Sequence, residues 1–206
     1  MRQSRRLPDR ADVVVIGAGA AGVFALRELV RSGLTAVGLE ARNRIGGRIF
    51  TRRTLARYPI ELGAEFVHGT ENIVHKLVAE YGLTMVPHVG TAYSWWDGKL
   101  GPDAELPRPP LDVLHMFGNE RIRDLFVRAE WRVWHTDPYC RSGYSAFAAD
   151  RGEETRQMLG LPVADTLFFA GEAVGVRGQP GKVASVHGAI ESGIHCARDV
   201  IASLRT

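Results

Sequence analysis

Residues 12–40 read D-V-V-V-I-G-A-G-A-A-G-V-F-A-L-R-E-L-V-R-S-G-L-T-A-V-G-L-E. Residues 12–16 are a β-branched run of the kind found in a parallel strand buried on both faces. Gly17, Gly19 and Gly22 follow at G-x-G-x-x-G spacing, and the residues from about 20 to 31 have helical character. A second apolar run, residues 36–39, ends in Glu40. Each part has a mechanical reason. Gly17 permits the tight turn out of the strand, Gly19 lets the backbone approach a pyrophosphate, and Gly22 lets the helix lie close to the sheet. The free N–H groups of the helix N-terminus, including those of Ala20 and Ala21, then face the phosphates, and Glu40 accepts hydrogen bonds from a ribose. The competing reading is a glycine-rich structural turn; strand, helix, second strand and acid in this order weigh against it. Glu40 also disfavours NADP, whose 2′-phosphate would meet a carboxylate.

Working outward, four further blocks repeat the theme of glycine beside charge. Residues 41–51 read A-R-N-R-I-G-G-R-I-F-T, residues 61–69 E-L-G-A-E-F-V-H-G, residues 167–173 L-F-F-A-G-E-A, and residues 185–193 S-V-H-G-A-I-E-S-G. Gly46 and Gly47 supply unhindered N–H groups, and Arg48 supplies one cation that suits a pyrophosphate or a ring edge. The F-F-A-G-E run reads as an apolar strand that ends in a glycine turn at Gly171 with a carboxylate at Glu172. Residues from 185 onward open a helix with small residues, and its N-terminus can stabilise negative charge. Taken singly, each block is equally well a glycine turn between core elements.

Composition bounds the function. The chain has 206 residues, 45% of them hydrophobic, enough for a sizeable core. Net charge is +3, but only three residues are lysine and the arginines are scattered, which argues against a nucleic-acid partner. Two cysteines, Cys140 and Cys196, suggest neither a disulfide framework nor a metal site. Residues 1–10 read as a short basic leader before the first strand. The apolar run that follows carries the three fingerprint glycines, and a signal-peptide cleavage after it would delete the dinucleotide site. No run reaches the roughly 20 apolar residues of a membrane span, so the reading is cytoplasmic with no membrane partner.

The middle of the chain is less regular. Residues 71–82 have helical spacing, with Ile73, Val74, Leu77, Val78 and Tyr81 on one face and Gly82 as the stop. Residues 83–87 and 92–96 read as strands, and Asp97–Gly98 reads as a hairpin turn before a strand at 99–100. Residues 101–110, G-P-D-A-E-L-P-R-P-P, break regular structure and are the linker candidate. A short helix is predicted over about 119–133.

The blocks above, in this order and together with W-H-T-D-P-Y-C-R-S-G-Y-S at residues 134–145, resemble the flavin-containing amine oxidases, the family of monoamine and polyamine oxidases. The resemblance implies an α/β Rossmann-like FAD-binding domain, discontinuous over residues 1–70 and 151–206, with a small α+β substrate or cap region at 71–150. It implies non-covalent FAD, because the position of the cysteine that tethers the flavin in some relatives is Gly143. It further implies oxidation of an amine to an imine, with hydride transfer to flavin and reoxidation by oxygen. Cofactor-binding positions by this resemblance are Gly17, Gly19, Ala20, Ala21, Gly22, Glu40, Ala41, Arg42, Gly46, Gly47, Arg48, Gly63, Ala64, Glu65, Gly171, Glu172, Ser185, Val186 and Ala189. Tyr144 and His68 are the candidates for the substrate side.

The chain also departs from the family. A long substrate-binding segment normally precedes the W-H-T-D-P block, and here the interval is only about fifty residues. The family's active-site lysine has no counterpart, and Lys182 does not match its position. Ser185 stands where a second aromatic wall would be. The alternative is therefore a flavin-binding module without amine turnover, or one that depends on a homodimer or a partner chain to cover the missing segment. Several residues have plainer readings: His68 as a turn histidine, His187 facing solvent, Lys182 as a solvated lysine, Glu65 paired with an arginine, and Trp95, Trp96, Trp131 and Trp134 as packing residues.

Overall fold

Val13–Ile16 (β1) and Ala36–Leu39 (β2) pair in parallel, with Val13 opposite Ala36 and Ile16 opposite Leu39. Between them runs α1, Ala20–Arg31, which makes the crossover of a βαβ unit. This is a computed structural model; it describes residues 8–69, 71–87, 93–96, 99–102, 130, 132–146, 152–176, 179 and 182–205. The helix buries Ala25 and Leu29, four residues apart on one face. It ends where the Ser32 hydroxyl donates to the Leu29 carbonyl at 2.7 Å and Gly33 takes a left-handed φ of +91°.

Contacts divide the chain into two units, Met1–Tyr81 with Arg132–Thr206, and Gly82–Trp131. In the first unit, the antiparallel pair Thr51–Arg52 (β3) and Ile60–Glu61 (β4) follows β2. Next comes α2, Ile73–Glu80, whose N-terminus is capped by the Asn72 side chain accepting from the Val74 N–H. Gly82, at φ +61°, follows its last turn as the spacing predicts. Gly152–Leu159 forms α3, which the predominantly polar sequence there did not announce. The chain then reaches α4, Val186–Ser203, capped by Ser185, whose hydroxyl accepts from the Gly188 N–H. In the second unit, Tyr93–Trp96 (β5) and Lys99–Pro102 (β6) pair antiparallel, with Trp96 opposite Lys99; the turn expected at Asp97–Gly98 lies outside the described residues.

The core joins the two ends of the sequence. Ala25 and Leu29 of α1 cluster with Ala197 and Val200 of α4, flanked by Val13, Val15, Leu34, Ala36, Phe168 and Ile201. Close approach depends on glycine: a Cβ on Gly193 of α4 would stand 2.1 Å from the Ala21 carbonyl oxygen of α1. Leu29 is 1% exposed, so Leu29→Ala should cost about 3 kcal/mol through lost transfer energy and a cavity.

Several sequence expectations change. β1 is covered on one face only: Val13 and Val15 pack inward, whereas Val14 is 54% and Ile16 86% exposed. The β-branched run fitted a strand buried on both faces, but among the described residues only the α1 side is covered. Residues 83–87 form no strand, and neither do Phe168 to Ala170; a single bridge between Val163 and Leu167 stands just before the latter. The apolar character of Phe168 is used for packing on α1 and α4 rather than for a ladder. Gly101 and Pro102 belong to β6, so regular structure extends two residues into the predicted break. Most of the helix predicted over 119–133 lies outside the described residues; Glu130, Arg132 and Val133 are not helical.

Candidate functional site

The turn after β1 is built as the fingerprint requires. Gly17 has φ +100°, and its N–H donates to the Leu39 carbonyl at 2.7 Å, which ties the turn to β2. A Cβ on Gly22 would stand 1.9 Å from the Gly17 carbonyl oxygen, so the first turn of α1 closes on the loop only with glycine there. Gly19 is the N-cap and offers no side chain, and the helix start is left without side-chain capping. Helix N-termini in this state present unsatisfied N–H donors that suit an anion.

Two flanking segments complete the cradle. Glu40, just past β2, accepts the Ala18 N–H at 2.8 Å through Oε2 and the Arg42 N–H at 2.9 Å through Oε1. These two N–H groups, Ala18 first, hold its carboxyl below the ordinary range despite some burial. A carboxylate has about four lone-pair sites, so acceptor capacity remains for hydroxyl donors. Gly46 donates from its N–H to the Ala18 carbonyl at 2.8 Å and pairs in parallel with Gly19. Gly46 and Gly47 both have positive φ, and Gly47 packs against Gly19, leaving no side chain between the two turns. Ala41 is exposed beside Glu40.

Arg48 leads from this cradle to a second centre. Its guanidinium donates to Glu172 Oε1 at 2.8 Å and to the Gly143 carbonyl at 3.0 Å. Glu172 is 8% exposed and also accepts the Ser145 hydroxyl at 2.6 Å, the Ser145 N–H at 3.0 Å and the Ala184 N–H at 3.0 Å. Burial pushes the Glu172 carboxyl up, but Ser145 and Arg48 outweigh it and hold the group below the usual range. Ala184 is at φ +52°, a left-handed conformation that costs a non-glycine residue energy, and its N–H points at the carboxylate. Gly171, at φ +151°, donates its N–H to the Ser192 hydroxyl of α4 at 3.1 Å. Gly63 must be glycine, since a Cβ would stand 1.9 Å from the Arg48 carbonyl oxygen.

The remaining predicted residues sit around these centres. Gly63, Ala64, Glu65 and His68 lie in an exposed stretch, and Glu65 takes part in no ion pair among the described residues. The His68 carbonyl accepts from the Asn72 side chain. Tyr144 is 66% exposed. Ser185, Val186 and Ala189 form the start of α4, where the Ser185 hydroxyl lies 3.3 Å from His187 Nε2. Lys182 pairs with Glu191 at 2.6 Å, and Trp134 donates its indole N–H to the Leu62 carbonyl at 3.0 Å. Lys182 is thus ion-paired rather than simply solvated. Sequence reasoning missed Ser145 and Asp137; the latter was in view beside Pro138 in the T-D-P-Y run, but nothing local distinguished it from an ordinary turn aspartate.

A family model described as flavin containing amine oxidoreductase matches residues 20–130 and 111–201. The chain belongs to that family. Pseudooxynicotine dehydrogenase of Pseudomonas sp is 51% identical over 81 residues, 39% of this chain and 16% of that protein. Human amine oxidase [flavin-containing] B is 42% identical over 77 residues, 37% of this chain and 15% of its own length. The cyclohexylamine oxidase of Brevibacterium oxydans IH-35A superposes with a TM-score of 0.40 at 31% identity, covering 47% of this chain and 23% of that one. The chain thus spans under a fifth of the length of the curated relatives it matches. Among the described residues, no helix is long and apolar enough to cross a membrane.

Proposed function

We propose that this chain is a non-covalent FAD-binding oxidoreductase of the amine oxidase type, which oxidises an amine to an imine with oxygen as the final electron acceptor. The observation that carries it is the uncapped α1 N-terminus beside Glu40, set against α4 from the far end of the sequence. That donor set suits the chemistry of a dinucleotide: N–H groups for the phosphates, and carboxylate lone pairs for ribose hydroxyls. FAD, when bound, supplies the two-electron acceptor. The discontinuous Rossmann-like domain is the cofactor domain, and the middle segment is a reduced cap.

The residues divide by role. Gly17, Gly19, Ala20, Ala21, Gly22, Glu40, Ala41, Arg42, Gly46 and Gly47 serve the ADP half. Arg48, Gly63, Ala64, Glu65, Gly171, Glu172, Ser185, Val186 and Ala189 serve the flavin half, with Glu172 acting by fixing Arg48 and the turn before α4. Tyr144 offers an aromatic face to the amine, and His68 is the second residue assigned to the substrate side. Substrates are small amines and oxygen in the cytoplasm, with a homodimer or partner chain covering what the short cap leaves open. The test is anaerobic: mix flavin-loaded protein with a panel of amines and record the visible spectrum, then admit air and assay peroxide. Bleaching followed by peroxide release supports oxidation. Retained flavin with no bleaching by any amine would instead leave a binding module.

A further inference from the structure

A buried carboxylate outside the cradle stands in unusual company. Asp137 is 5% exposed and accepts from two guanidinium groups, Arg42 through Oδ1 and Arg132 through Oδ2. Its Oδ1 also accepts the backbone N–H groups of Tyr139 at 3.0 Å and Cys140 at 3.2 Å. Arg42 stands two residues beyond Glu40 and is fixed at both ends. Its backbone N–H is held by Glu40, and its guanidinium is held by Asp137 while also touching the Cys140 sulfur at 3.3 Å and lying over the Tyr139 ring at 5.0 Å. All three contacts of the side chain use one face of the fork or its Nη2 atom. Nε and Nη1 make no hydrogen bond among the described residues, although Nη1 lies 3.8 Å from Glu40. Arg42 lines an open groove of about 570 Å³ together with Glu40, Asn43, Arg44 and Ile45.

We propose that Asp137 is a positioning residue for the ADP half of the cofactor, acting through Arg42. The proposal rests on the flavin reading above. A free arginine side chain carries about 2 kcal/mol of rotamer entropy, and a planar fork fixed in advance loses less of it on binding. Asp137 performs that fixing from the W-H-T-D-P-Y block, ninety-five residues away in sequence from Arg42. Removing its charge leaves the Arg42 and Arg132 guanidinium groups close together without their shared counter-ion, which favours rotation of Arg42 out of the groove. The block that carries Tyr144 is thereby coupled to the nucleotide end of the site.

The test is a double-mutant cycle on FAD affinity, read by flavin fluorescence during titration. D137N keeps a hydrogen-bond acceptor for the Tyr139 N–H but loses the charge. It should raise the FAD Kd about tenfold, the loss expected for one misdirected charge-assisted hydrogen bond. In an R42M background, D137N should change Kd by less than about twofold, because the residue it acts through is already gone. A purely structural Asp137 would weaken both backgrounds alike, and that result overturns the proposal. So does a D137N protein that binds FAD like the wild type. If circular dichroism shows D137N unfolded, D137E carries the test: it retains the charge with a displaced carboxylate, and its loss must again vanish in the R42M background. Wild-type protein that takes up no FAD overturns the flavin reading itself, a different outcome from any of these.

Discussion

At the α1 N-terminus donors outnumber acceptors, whereas at Glu172 the two are matched. The first region has a glycine cap, no capping side chain and two glycine turns in contact. The second has one carboxylate receiving Arg48, Ser145 and Ala184. A region with unmet hydrogen-bonding capacity can take a ligand without first breaking its own bonds. A region already satisfied holds its segments in register and reaches a ligand through its neighbours. Under the proposed function, the contrast gives binding mainly to the turn and architecture mainly to Glu172, although both lie on glycine-rich loops of similar appearance.

The largest effect that would break this contrast comes from Gly22→Val. The added carbon meets the Gly17 carbonyl at 1.9 Å, so the turn must open. FAD affinity should fall at least about a hundredfold by fluorescence titration, and stability by about 1–3 kcal/mol. An unaltered Kd would show that the turn does not touch the cofactor.

Glu172→Gln should do the reverse. It leaves Arg48, about one third exposed, without its counter-charge. A loss of about 2 kcal/mol follows, a fall in Tm of about 4–8 °C, while FAD affinity changes less than about threefold. A large loss of affinity without a change in Tm would make Glu172 a direct ligand.

Acid sharpens the same distinction. Glu172, Glu40 and Asp137 all have folded carboxyls held below their ordinary values of 4.5, 4.5 and 3.8. A carboxyl depressed in the folded state stabilises fully above its unfolded pKa, and that stability is lost as pH falls through the folded value. Tm should therefore fall as pH drops below about 4.5, and less steeply in Glu172→Gln than in the wild type. Equal slopes would remove Glu172 from the account.

How much of this was written in the sequence differs from region to region. The βαβ unit was legible because strand, glycine turn and helix each leave a local signature within thirty residues. The Gly82 stop was legible for the same reason, whereas the capping role of Ser185 emerged only from the fold. The Glu172 centre was only half visible: the glycine and acid could be named, but Ser145 and Ala184 join it through tertiary contacts that no periodicity encodes. Asp137 was hidden more completely, since its partners Arg42 and Arg132 are ordinary surface residue types. Phe168 misled, because an apolar run before a glycine fits a strand and a packed loop equally well.

The smallest effect concerns the helix core. Burial, and then the Asp199 charge, push the Cys196 thiol up to about 11. In native protein at pH 8, a thiol reagent should label Cys196 slowly, and Asp199→Asn should speed it by less than about tenfold. Rapid labelling of native Cys196 would mean that α4 is not packed as described.

The most direct measurement is equilibrium titration of the purified chain with FAD, following the visible spectrum and flavin fluorescence. The account predicts saturable binding of one FAD per chain, weakened strongly by Gly22→Val and weakly by Glu172→Gln. Protein that remains colourless at excess FAD, or that binds it equally well with Gly22 replaced by valine, would contradict it.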